Sequence, residues 1–154
     1  LTSSPGMKTE QILAVDLGVK TGLALFDKGG RLLWCRSHNL GNMTRLRRAV
    51  HNILKDLPSL ICLVLEGGGT VGEVWKREAK RQGIKVIEVS AEEWRGEFFS
   101  FDMQKDGRTA KKSALKLAGE IIKDSPSAYR KKLNHDTAEA VLIGLWAVRR
   151  LAES

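Results

Sequence analysis

The sequence predicts an α/β domain built on a mixed five-stranded sheet, three antiparallel strands plus two parallel ones, flanked by helices. Three observations carry this expectation. The apolar runs Ile12-Leu13-Ala14-Val15 and Ile61-Cys62-Leu63-Val64-Leu65 have the length and composition of strands buried on both faces. Asp27-Lys28-Gly29-Gly30 supplies turn chemistry between two strand-like runs and folds one back upon the other. Helical periodicity then separates the later strands, as crossovers between parallel strands require.

Taken in order, residues 12–16 form the first strand, Thr21 to Phe26 the second and about Arg31 to Arg36 the third, an antiparallel meander. From Met43 to Asp56, Leu46, Val50, Ile53 and Leu54 recur at helical spacing, with Arg45, Arg47 and Arg48 marking a basic face. Pro58 ends that helix, and residues 60–66 make the fourth strand. A second helix, roughly Val71 to Gln82, stops at Gly83, and Ile84 to Val89 is the fifth strand. Ser90 and Glu93 form a capping box that opens a short helix through Trp94. Gly96 to Gly107 has no sustained period and mixes Phe98, Phe99, Phe101 and Met103 with charge, which reads as a mobile loop carrying exposed aromatics. Thr109 to Lys123 is a helix, Asp124 to Leu133 a basic connector, and Asn134 to about Leu151 a final helix. With right-handed crossovers, the first and fourth strands lie adjacent and parallel. No internal repeat or low-complexity tract interrupts this order.

A chain of 154 residues suffices for one domain with a real core, here residues 11–154. Its 42% hydrophobic and 29% charged residues exclude a disordered chain. Lys and Arg number 26 against 18 acids, a net charge of +8, and the sequence pI is near 9.7. That balance points to a polyanionic partner, nucleic acid above all, with a basic enzyme lacking such a partner as the alternative. Cys35 and Cys62, far apart and without CxxC spacing, read as buried reduced thiols, consistent with an intracellular setting such as cytoplasm or nucleoid. No apolar run approaches the roughly 20 residues of a membrane span, so no membrane association is expected. Residues 1–10 read as a disordered leader or tag remnant; a processed leader would make an organelle the destination.

The chemistry lies in the acids. Asp16 closes the first apolar strand and Glu66 the fourth, and an ionised carboxylate in such a place costs several kcal/mol unless compensated. Parallel neighbours would set the two side by side, an arrangement tolerated chiefly around a divalent metal. In the last helix Asp136 and Glu139 are three residues apart, on the face that continues into Ala140 and Ile143, so both are expected to point to the core. The competing reading is that they merely complement the helix dipole behind an Asn134 N-cap, worth under about 1 kcal/mol each. Asp16, Glu66, Asp136 and Glu139 together can make an all-oxygen site for Mg²⁺ or Mn²⁺. With two ions about 4 Å apart, such a site activates water for in-line attack on a phosphodiester. His135 could ligate metal, position water, or cap the helix or support a ligand, the last pair being the leading readings.

The segments Ala14-Val15-Asp16-Leu17-Gly18-Val19-Lys20-Thr21-Gly22, Leu65-Glu66-Gly67 and His135-Asp136-Thr137-Ala138-Glu139-Ala140 resemble the catalytic motifs of RuvC-like Holliday junction resolvases of the RNase H-like superfamily. Ile84 to Trp94 is similar to the strand and helix that follow the second acid in that family. The resemblance implies an RNase H fold, a Mg²⁺-dependent endonuclease, a homodimer and four-way DNA junctions as substrate. It assigns catalysis to Asp16, Glu66, Asp136 and Glu139, and it implies a basic residue at the site, for which Lys112, or Lys111, is the candidate. Three features depart from the family pattern. Glu139 stands where Asp is more usual, no proline follows Asp16, as in YqgF-type proteins, and Gly-Gly-Gly-Thr follows Glu66 where RuvC proteins tend to carry an aromatic.

Lys76, Arg77, Lys80 and Arg81, expected on one side of the helix after Glu66, Lys111, Lys112 and Lys116 on a later helix, and Arg130, Lys131 and Lys132 before the last acids are candidate phosphate contacts. Trp75 is a core residue or a stacking platform, and Phe98, Phe99 and Phe101 are candidates for opening a junction or for a dimer contact. Rival readings are an RNA-processing nuclease of YqgF type, a nucleic-acid-binding module without catalysis, and an actin-like ATPase, for which the chain is too short.

Overall fold

The computed structural model describes residues 9–18, 20–125 and 133–153. Five strands, β1 (Gln11–Asp16), β2 (Lys20–Asp27), β3 (Leu32–Asn39), β4 (Leu60–Glu66) and β5 (Lys85–Val89), form one sheet in the order β3-β2-β1-β4-β5. The first three pair antiparallel, whereas β4 runs parallel to β1 and β5 parallel to β4, which is the sheet expected from the sequence. The helices are α1 (Met43–Lys55), α2 (Gly69–Arg81), α3 (Ala91–Phe98), α4 (Gly107–Lys123) and α5 (His135–Glu153).

The two-residue period of the strands divides the core. Leu13 and Val15 of β1, Leu23 and Leu25 of β2, and Leu63 and Leu65 of β4 meet α1 and α2, where Trp75 is fully buried and so is core. Ile12, Ala14, Ala24, Phe26, Cys62 and Val64 face the other way, towards α3, α4 and α5. Asp16 and Glu66 continue the even-numbered series, so the pleat delivers both to the α5 side. Cys35 and Cys62 are buried free thiols, and burial pushes both up to about 11.

Two glycines let α5 lie against the sheet. A Cβ on Gly22 of β2 would stand 2.0 Å from the backbone oxygen of Asp136, and one on Gly144 of α5 would stand 2.3 Å from the ring of Phe26. No side chain fits either contact, so each glycine is required by the packing.

Several boundaries differ from expectation. β3 runs three residues beyond Arg36 because Ser37, His38 and Asn39 pair with Gly22, Thr21 and Lys20; ladder pairing overrides their polar composition. α3 continues past Trp94 to Phe98, closed at its start by the predicted Ser90–Glu93 capping box. The stretch read as a mobile loop with exposed aromatics is corrected in part: Phe101 is exposed as expected, whereas Phe99 is buried, Phe98 packs on the core, and a short 3-10 turn spans Asp102–Gln104. Asp106 accepts from the Thr109 backbone N–H at 2.8 Å and starts α4 at Gly107, two residues early. Glu10 belongs to the fold, since its carbonyl accepts from the Lys28 N–H at 2.8 Å, while residues 1–8 of the expected leader lie outside the described residues. No helix among the described residues is long and apolar enough to cross a membrane.

Candidate metal centre

The site begins at the ends of two strands. Asp16 and Glu66 are the last registered pair of β1 and β4, and Leu17 N–H then donates to the Glu66 carbonyl at 3.0 Å, holding the two ends together. On α5, Asn134 accepts from the Thr137 N–H at 2.8 Å and fixes the helix start. One turn later Glu139, itself buried, descends onto the strand ends. Among the described residues, Asp16, Glu66 and Glu139 each offer one carboxylate oxygen to a cluster in which these three atoms lie within 4.8 Å of one another.

Electrostatics make this gathering costly. Asp16 is raised from an ordinary 3.8 to about 9, first by burial, then by the negative charges of Glu139 and Glu66, a hydrogen bond shared with Glu66, and the charge of Asp136. Asp136 does not join the three-acid cluster. It is half-buried at the rim, with its backbone seated on Gly22, and acts on Asp16 through its field.

Two residues that the sequence reading passed over complete the arrangement, both from α3. The indole Nε1 of Trp94 donates to Glu66 Oε1 at 3.2 Å, and Arg95 pairs with Glu139 Oε1. His135 Nε2 lies 2.9 Å from the same Glu139 oxygen without hydrogen-bond geometry. Capping therefore belongs to Asn134, and His135 stands against Glu139. The capping box that opens α3 was the available signal, because it sets the helix phase; no sequence rule says that positions 94 and 95 turn to the acids.

A basic residue that the sequence did not single out pairs with the acids. Arg95 supplies the cation at the carboxylates, whereas Lys112 lines a cleft of about 360 Å³ with Phe98, Phe99, Met103 and Lys116. Lys111 is exposed on α4. The group on α2 does not share one face: Lys76 is tied to Glu73 at 2.7 Å and Glu88 at 3.2 Å beside β5. Arg77 and Arg81 line a groove with Arg47 of α1, where Arg81 meets Glu78 at 3.3 Å, and Lys80 is exposed. Arg130, Lys131 and Lys132 lie outside the described residues.

No protein-family model and no curated protein matches the sequence. Solved structures do. The yeast mitochondrial Holliday junction resolvase Ydc2 is similar with a TM-score of 0.64 at 14% identity, over 94% of this chain and 82% of its own. The large terminase nuclease of the thermophilic phage G20c, with bound zinc, is similar with a TM-score of 0.51 at 14% identity, over 92% of this chain and 81% of its own. This chain therefore shares the RNase H-like fold of these two structures.

Proposed function

We propose that the protein is a metal-dependent endonuclease that cleaves branched DNA, with the four-way junction as its substrate and a homodimer as its working form. The observation that carries this reading is the register of Asp16 with Glu66, completed by Glu139 within 4.8 Å, on an RNase H-like fold. Three clustered carboxylates whose shared site holds one proton up to about 9 fit a hard divalent cation, and their all-oxygen chemistry suits Mg²⁺ or Mn²⁺. Asp16, Glu66 and Glu139 would hold the metal, which supplies Lewis acidity for in-line hydrolysis of a phosphodiester.

The chain's own groups orient that set. Trp94 restrains the Glu66 carboxylate, while Arg95 and His135 restrain Glu139 through one oxygen. Asp136 adds negative potential at the rim. The net charge of +8 and the exposed cations of α4 favour a polyanionic substrate.

Cleavage of a labelled four-way DNA junction is the test, run beside duplex, flap and RNA–DNA hybrid, with Mg²⁺ and with EDTA. Paired nicks at the junction that require metal are expected. Asp16→Asn should abolish them and leave binding intact, because removing an anion cannot weaken phosphate attraction. Binding without cleavage of any substrate would overturn the enzyme, and preferred cleavage of the hybrid would replace DNA by RNA as substrate.

A further inference from the structure

Arg95 is a cation built in beside the acids, and its position is fixed from several directions. The Ser90–Glu93 capping box sets the phase of α3, and the buried Trp94 next to it packs edge-on against Phe99 with ring centroids 6.5 Å apart. The Arg95 guanidinium carbon lies 5.1 Å from the centroid of the Trp94 ring, and its Nη2 pairs with Glu139 Oε1. Helix, ring and carboxylate together hold the guanidinium at the metal centre.

Few carboxylate oxygens remain for ions. Glu66 Oε1 accepts from Trp94, and Glu139 Oε1 meets Arg95, with His135 Nε2 2.9 Å away. On the open side of Glu66, Glu88 Oε1 pairs with Lys76 at 3.2 Å and Glu93 Oε1 accepts from the Ser90 N–H at 3.1 Å. Among the described residues no second group of three acids, histidines or thiols gathers. One ion is well provided for, since Asp16, Glu66 and Glu139 each offer it an oxygen. A second ion about 4 Å away would have to share those carboxylates, with Asp136 at the rim as its remaining acid. It would also stand close to the positive charge that Arg95 already places on Glu139, and like charges at that range repel.

From this we infer that Arg95 takes the place of a second metal ion: the site holds one divalent cation, and the guanidinium is the second positive charge presented to the phosphodiester. Its N–H groups not spent on Glu139 remain available to phosphate oxygens, because the side chain stays 29% exposed and a guanidinium presents several donors in a planar fork. A charge fixed by the fold needs no ion from solution and little reorganisation as negative charge develops on the phosphate. The inference rests on the metal-dependent reading above and decides how many ions that reading requires.

The test counts Mn²⁺ on the full chain by equilibrium dialysis and electron paramagnetic resonance, beside Arg95→Lys and Arg95→Gln, with Asp16→Asn to subtract ions held elsewhere. Arg95→Met, which keeps the stem without the charge, stands in if Arg95→Gln does not fold. The original chain and Arg95→Lys should take up one Mn²⁺ with the spectrum of an isolated ion. The neutral variant should take up two, and the spectrum should show the spin coupling of neighbouring ions. Below saturation, junction cleavage should rise with the first power of Mg²⁺ concentration in the original chain and close to the second power in the neutral variant. Two coupled ions in the original chain would overturn the inference and leave the nuclease standing. A single ion in the folded neutral variant would show that the carboxylates alone set the count, and would overturn it as well. No Mn²⁺ in the original chain would overturn the metal centre itself, whereas the expected counts in a chain that cuts no nucleic acid would uphold the role of Arg95 and overturn the nuclease.

Discussion

The indole Nε1 of Trp94 donates to Glu66 Oε1 across 3.2 Å, so a fully buried, uncharged side chain fixes the carboxylate at the end of β4. Because the adjacent Arg95 pairs with Glu139, one turn of α3 restrains acids that arrive from a strand and from a distant helix. Each contact restricts where a ligand oxygen can point before any metal binds.

Trp94→Phe keeps most of the packing and removes the N–H. A hydrogen bond to a charged group contributes about 1.5–3 kcal/mol, and the smaller ring adds a partial cavity, so a loss of roughly 2–3 kcal/mol is expected in urea denaturation. Affinity for Mn²⁺ should fall about 10-fold or more, as when the support of a ligand is removed elsewhere. Unchanged metal affinity would show that Glu66 needs no such support.

Arg95→Ala leaves Glu139 buried without its cation. Breaking a buried pair costs about 3–5 kcal/mol, and Arg95 keeps 29% of its side chain exposed, so roughly 2–3 kcal/mol is expected in EDTA. Millimolar Mg²⁺ should recover part of that loss, since the ion supplies the missing positive charge. Thermal melts with and without Mg²⁺ check this, and equal losses in both conditions would separate Arg95 from the metal centre.

The raised Asp16 makes stability depend on pH in a defined direction. The folded chain holds a proton up to about 9 that the unfolded chain releases near 3.8, so this contribution is complete below about pH 4 and is lost as pH rises towards 9. In EDTA the melting temperature should therefore fall across that window, and Asp16→Asn should flatten the fall and melt higher at pH 8. With Mg²⁺ the order reverses, because metal binding displaces the proton and strengthens as pH rises. A wild-type melting temperature in EDTA that is level between pH 5 and pH 8 would contradict the shift.

How much of this was readable in the residues follows from the range of each interaction. The strands, their order and the acids at their ends come from local apolar runs and from the rule that buried charge needs a partner, and Asp16, Glu66 and Glu139 meet as those rules require. Asp136 is harder to read, because a face shared at three-residue spacing does not fix depth, and it stays at the rim. The α2 cations illustrate the same limit: a helix turns 100° per residue, so Lys76 faces β5 while Arg77 faces α1. Arg95 and Trp94 went unread because their partners are 44 and 28 residues away along the chain, and only the packing of α3 brings them together.

Gly22→Ala tests how closely the site depends on the seating of α5. A Cβ there would stand 2.0 Å from the Asp136 oxygen and 2.4 Å from its carbonyl carbon, both backbone atoms that no side-chain rotation can move. The first turn of α5 must lift from β2, which carries Asp136 and Glu139 away from Asp16. Overpacking of this kind costs typically 1–3 kcal/mol, and a displacement of even 1 Å at Glu139 should reduce metal-dependent cleavage on the order of 100-fold. Gly119→Ala in α4 is the control, since its Cβ meets nothing within 4 Å and replacing a helical glycine should stabilise by about 0.5–1 kcal/mol. Urea denaturation and Mn²⁺ binding measured on both variants separate the effects: Gly22→Ala should lose both, and Gly119→Ala neither. Retained Mn²⁺ affinity in Gly22→Ala would mean that the carboxylates find the ion without the close approach of α5 to β2.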